Sequence, residues 1–160
     1  MKIKIPEISD LIGYSNVYEL DFDALAAIRI FGGKSMEEAF EYICSEDECD
    51  YAFLESFRFM RKNAFWFYFP ILGKYLNWDT QKNEEVDIVV VKTSLRFLLE
   101  KKSELFLHLK EIIELIDVFE NLIFKCKIEY PFEFEIIKEI KYDVGCLKKY
   151  LLSFEGVHIV

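Results

Sequence analysis

Ser103-Glu104-Leu105-Phe106-Leu107-His108-Leu109-Lys110-Glu111-Ile112-Ile113-Glu114-Leu115-Ile116-Asp117-Val118-Phe119-Glu120-Asn121-Leu122-Ile123 is the stretch that decides the fold class. Leu105, Leu109, Ile112, Ile113, Ile116, Phe119 and Ile123 recur at helical spacing, with Lys110, Glu111, Glu114, Asp117 and Glu120 between them. The pattern predicts an amphipathic helix of about five turns over 103–123, with Ser103 at its start. A helix with one apolar face needs other elements to cover that face, so the question passes to the flanking sequence.

Upstream, Glu84 to Glu100 places Val86, Val89, Val90, Phe97 and Leu98 on one helical face. Its β-branched run Ile88 to Val91 also fits a buried strand, which leaves an α+β alternative with a minor strand near 86–93. Downstream, Pro131 bars continuation, and two helices are expected in 133–142 and 146–154, separated near Gly145. Nearer the N-terminus, Ala24 to Phe31 reads as a helix closed by Gly32-Gly33. Ser35-Met36-Glu37-Glu38 then has the capping-box spacing, which predicts a helix over 36–44 with Met36, Ala39, Phe40 and Ile43 inside and Glu37, Glu38 and Glu41 outside. Tyr51 to Met60 carries another helix-like stripe. Asn63 is expected to cap a segment that Pro70 ends or kinks, with helix continuing to Trp78 and a polar connection over Asp79 to Asn83. The expectation is an all-α chain, 1–160 forming a single helical domain of about six to eight helices.

Composition agrees with a packed globular fold. Of the 160 residues 52% are hydrophobic and 17% aromatic, with six Gly and three Pro, which excludes disordered and collagen-like classes. The formal charge of −9 disfavours direct binding to nucleic acid and favours a basic partner. The longest apolar runs, such as Ala64 to Leu72, are far shorter than the roughly 20 residues of a membrane span, and the N-terminus does not read as a secretion signal. A cytoplasmic protein with no membrane association is expected, its four cysteines (Cys44, Cys49, Cys126 and Cys146) reduced.

Chemistry-bearing motifs are scarce. The two histidines are His108, expected on a solvent face of the 103–123 helix, and His158, three residues from the end. The cysteine spacing offers no two close pairs for zinc. Gly32-Gly33-Lys34-Ser35 lacks the upstream glycine of a phosphate-binding loop. No catalytic, cofactor-binding or metal-ligating residue is therefore assigned. What stands out is a density of acid: Glu37, Glu38, Glu41, Glu46, Asp47, Glu48 and Asp50 are seven carboxylates in fourteen residues with no Lys or Arg among them. Such a cluster either keeps the chain soluble or gives a basic protein surface a place to land.

The second candidate is Arg61-Lys62-Asn63-Ala64-Phe65-Trp66-Phe67-Tyr68-Phe69-Pro70-Ile71-Leu72-Gly73-Lys74-Tyr75-Leu76, where a helix has aromatics on every side. Phe65, Phe69, Leu72 and Leu76 make one buried stripe, leaving Trp66 and Tyr68 to pack against another helix or a partner. Ala64, Phe65, Phe67, Tyr68, Pro70 and Leu76 resemble a segment of small helical immunity-like proteins encoded beside bacterial toxins, with Asn63 where an acid is more usual and Phe69 in place of an aliphatic. The resemblance covers sixteen residues. It implies a cytoplasmic protein that neutralises a cognate toxin by binding, without catalytic residues or cofactor. The partner-contact set expected is Glu37, Glu38, Glu41, Glu46, Asp47, Glu48, Asp50, Trp66 and Tyr68, facing a toxin with a basic surface such as a nuclease cleft. The rival readings are an acidic nucleic-acid mimic of the phage-inhibitor type and an enzyme using buried carboxylates.

Overall fold

The computed structural model describes residues 4–13, 22–45, 52–83, 86–125 and 131–155. Among them the regular structure is entirely helical: α1 (Ile8–Leu11), α2 (Phe22–Phe31), α3 (Met36–Ser45), α4 (Ala52–Ser56), α5 (Lys62–Tyr68), α6 (Pro70–Asn83), α7 (Ile88–Glu100), a 3-10 segment (Lys102–Leu107), α8 (Leu109–Lys125) and α9 (Pro131–Glu155). The all-α expectation holds. The described helices outnumber the six to eight expected in part because α1 is a one-turn piece too short to show a period, while the stripe expected over 51–60 is helical only over α4, with turns following it.

Residues 1–75 and 76–160 form two compact units, the division falling inside α6. In the first, α2 packs chiefly on α4 and also touches α1 and α3, while α1 touches α5. Its interior is aromatic: the Phe57 ring meets Phe31 and Phe65 edge-on, both at 5.7 Å, and Phe65 stacks on Phe69 at 5.3 Å. In the second, α7 lies along α9, and α8 and the 3-10 segment pack on α9 as well. Val90, Leu95, Leu98, Ile112, Phe119, Ile140 and Leu147 are among its fully buried residues.

Several local expectations give way. The β-branched run Ile88 to Val91 is helical because Asp87 caps α7, its carboxylate accepting from the Val89 and Val90 backbone N–H groups at 3.0 Å each. Asp79 to Asn83 is the last turn of α6 instead of a connection: Asn83 donates to the Asp79 carboxylate one turn back at 2.6 Å, and the Lys82 ammonium lies over the Trp78 ring at 4.9 Å. Asn63 is not a cap, since α5 begins one residue earlier behind Arg61. Pro70 does break the path, with α5 ending before it and α6 starting on it, as suits a residue without a backbone donor.

The deciding stretch is helical in two parts. Its first turn is the 3-10 segment and α8 starts only at Leu109, so His108 lies at the junction. Ile112, Ile116, Phe119 and Ile123 are buried as expected, whereas Ile113, expected on the same face, is 38% exposed. Its position is about 100° from Ile112 around the helix, which takes it to the edge of the covered face. Finally, the two helices expected near the C-terminus are one. α9 runs 25 residues through Gly145, which does not have the positive φ of a helix-ending glycine; among the described residues Gly33 alone does, at 68°.

Candidate functional site

The acidic candidates that fall among the described residues are Glu37, Glu38 and Glu41, all on α3 and all exposed. The path to α3 is set locally. Gly32 and Gly33 close α2, and Ser35 and Glu38 form the reciprocal cap: the Ser35 N–H donates to the Glu38 carboxylate at 2.7 Å and the Glu38 N–H to the Ser35 hydroxyl at 3.2 Å. These bonds favour the ionised carboxyl and hold Glu38 below the usual glutamate range. Glu37 is lowered as well, first by its own backbone N–H in the first helical turn and then by the Lys74 ammonium 3.3 Å away. On the other side of the helix Ala39 and Ile43 are buried, while Met36 and Phe40, expected inside with them, are only partly covered. Glu41 makes no ion pair or side-chain hydrogen bond among the described residues. Glu46, Asp47, Glu48 and Asp50 lie outside the described residues.

The aromatic candidates are placed differently. Tyr68 is fully buried and Trp66 is 8% exposed. Trp66 meets Phe65 and Phe69 edge-on, at 5.0 and 5.3 Å. The Tyr68 hydroxyl lies 2.9 Å from the Phe31 carbonyl oxygen and 2.7 Å from that of Lys34, offering its one proton between them. Those carbonyls belong to the end of α2 and the turn after it, where backbone acceptors lack helical partners. Burial, with a smaller push from the Glu38 charge, raises the Tyr68 phenol to about 12. Of the two outcomes the sequence left open, Tyr68 takes the first and packs against α2, its ring 4.7 Å from that of Phe31, while Trp66 is buried and meets the rings of its own segment. Tyr68 positions the α2–α3 connection from behind, so α5 supports the acidic helix without itself meeting a partner through that ring.

Lys74 was outside the candidate set, since nothing at a separation of 37 residues marks it as the counter-ion of Glu37. Among the described residues no group of three or more His, Cys, Asp or Glu is arranged to hold a metal, and no helix is long and apolar enough to cross a membrane. Cys44 and Cys146 carry thiols; Cys49, Cys126 and His158 lie outside the described residues. Carboxyl groups raised by burial occur at Asp79, next to Asp87, and at Asp143, next to Glu139. No family model, curated protein or solved structure matches the chain.

Proposed function

We propose that the chain is a binding protein of the immunity or antitoxin type, which neutralises a toxin by covering its basic surface. The observation that carries this reading is the exposed face of α3. Glu37, Glu38 and Glu41 project from a helix fixed at its start by the Ser35–Glu38 cap, seated through Ala39 and Ile43, and backed by the buried Tyr68. Carboxylates of one sign on a rigid support speed encounter with a cationic surface and set its register, at no ordering cost to the helix. The resemblance of residues 61–76 supplies the class of partner and, with it, a cytoplasmic setting.

The rival readings fit less well. A nucleic-acid mimic needs carboxylates spaced along an extended ridge like phosphates, whereas these three occupy little more than one helical turn. An enzyme working through buried carboxylates needs two of them converging on a cavity, and the apolar groove between α8 and α9 has a single carboxylate, Asp117, on its wall.

The test is association kinetics with the toxin encoded by the neighbouring gene, at low and high salt. Glu37→Gln, Glu38→Gln and Glu41→Gln combined remove three charges, while the amide introduced at position 38 still accepts from the Ser35 N–H and so keeps the capping interaction. The on-rate should fall and its salt dependence flatten, and replacing Glu46, Asp47, Glu48 and Asp50 with Ser should extend both effects. On-rates and salt slopes equal to wild type in both variants refute the reading.

A further inference from the structure

We infer that the flank shared by α8 and α9 is a docking surface for a second copy of this chain, completing a four-helix arrangement. Between the two helices lies an open groove of about 290 Å³, walled by Ile113, Ile116 and Asp117 of α8 and by Lys148, Leu151 and Leu152 of α9. Leu152 is 62% exposed although it stands next to the buried Leu151. The flank continues beyond the groove: Ile113, Asp117, Glu120 and Phe124 recur at i, i+4, i+7 and i+11 and so share one side of α8, and the Phe124 ring is 92% exposed. Ile113 and Phe124 on α8 and Leu152 on α9 are large apolar side chains of the kind that helix–helix packing normally covers.

The occupant follows from the charges. Ile113 shares the groove with Leu152, and Glu120, further along α8, pairs with Lys148, earlier in α9, so the helices run antiparallel. The α8 wall carries Asp117 and Glu120 and the α9 wall Lys148, whose ammonium pairs with Glu120 of its own chain and has further N–H donors to offer, so Asp117 is the acid left to a second copy. A surface with acid on one side and base on the other is complementary to itself. A two-fold axis lying along the helices in the plane of contact keeps every residue at its own height and sets α8 of one copy over α9 of the other. Asp117, which is exposed and has no ion pair among the described residues, then faces Lys148 of the second copy, while Leu152 enters the groove beside Ile113. Such self-complementary pairing is the commonest symmetry of soluble oligomers. An amphipathic segment of an unrelated protein would satisfy the apolar wall but has no reason to repeat this charge order.

Sedimentation velocity over a range of protein concentrations tests the inference without any toxin, and so independently of the proposed function. Wild type should approach twice the chain mass of 19.1 kDa as concentration rises. Leu152→Glu should weaken association by about tenfold or more with an unchanged helical circular dichroism spectrum. Asp117→Lys and Lys148→Glu should each weaken self-association, because each sets like charges opposite one another. Mixing those two variants should restore dimers, since every facing pair in the mixed dimer is again of opposite sign. A single-chain mass at all concentrations, a dimer that Leu152→Glu leaves intact, or a mixture no tighter than either charge variant alone overturns the inference.

Discussion

The aromatic segment of α5 and α6 and the α8–α9 pair are both rich in large apolar residues, yet one is sealed and the other keeps an open flank. Phe65, Tyr68, Phe69, Ile71 and Leu72 are all buried, on different sides of their helices, whereas Ile113, Phe124 and Leu152 reach solvent. Hydrophobicity alone does not produce that difference. In residues 1–75 several short helices surround the aromatics, so Ala64, Phe65, Trp66 and Tyr68, which leave α5 in different directions, are all covered. In residues 76–160 three long helices have fewer edges to offer, and α8 is left with one flank that its neighbours do not reach. Short helices enclose; long ones expose flanks that a partner can use.

The sharpest way to break this comparison is to truncate a ring in each region. Phe65→Ala should cost about 3–5 kcal/mol, because its ring is enclosed by Phe57, Trp66 and Phe69 and leaves a cavity. Phe124→Ala should change stability by no more than about 0.5 kcal/mol. Urea denaturation of the two variants measures both, and similar midpoints would mean that the regions do not differ in enclosure.

Within α8 alone the contrast can be made at nearby positions. Ile116→Ala should cost about 2–5 kcal/mol, and Ile113→Ala distinctly less, as its side chain is partly in water already. Denaturation should be followed at low protein concentration, so that self-association does not add to the stability of wild type.

How much of this was legible in the sequence depends on how far apart the deciding residues lie. The local structure of α3 was readable in the sequence, since Ser35, Glu38, Ala39 and Ile43 form cap and buried face within nine residues. The extent of α9 was not: Gly145 is a local stop signal, and what overrides it is packing of α9 along α7, a helix far upstream in the chain. The same holds for Ile88 to Val91, where strand and helix propensities compete and the Asp87 cap decides. The inward turn of Tyr68 was equally hidden, because its acceptors at Phe31 and Lys34 are 37 and 34 residues distant. The open flank of α8 is hidden for a different reason: an apolar stripe reads as buried until the neighbouring helices can be counted.

A third prediction concerns the polar contact inside the sealed region. Tyr68→Phe removes the hydroxyl donor that the Lys34 and Phe31 carbonyl oxygens share, of which the Phe31 oxygen keeps the Lys34 backbone N–H at 3.1 Å, and should cost about 1–3 kcal/mol. It also carries a pH signature. The folded-state phenol is raised to about 12 from an ordinary value near 10, so the folded chain holds this proton more tightly than the unfolded one. Its contribution is complete below about pH 10 and is lost as pH rises through about 12. Wild type should therefore lose stability over that window by more than Tyr68→Phe does, and parallel alkaline profiles would show that Tyr68 is not so enclosed.

The smaller of the two polar effects belongs to the matching contact on the open flank. Glu120 and Lys148 form an ion pair across α8 and α9, with both side chains nearly half exposed. Water screens such a pair and both side chains surrender rotamer freedom to make it, so Glu120→Gln should cost roughly 0–1 kcal/mol, less than the loss of the Tyr68 hydroxyl. Raising the salt concentration should shrink even that difference, because screening weakens the attraction in wild type and leaves the uncharged variant unaffected. Denaturation of wild type and Glu120→Gln at low and high salt, again at low protein concentration, provides the measurement. A cost above that of Tyr68→Phe would place the pair in a far drier setting than its exposure implies, and the division between a sealed region and an open one would then fail at its polar contacts.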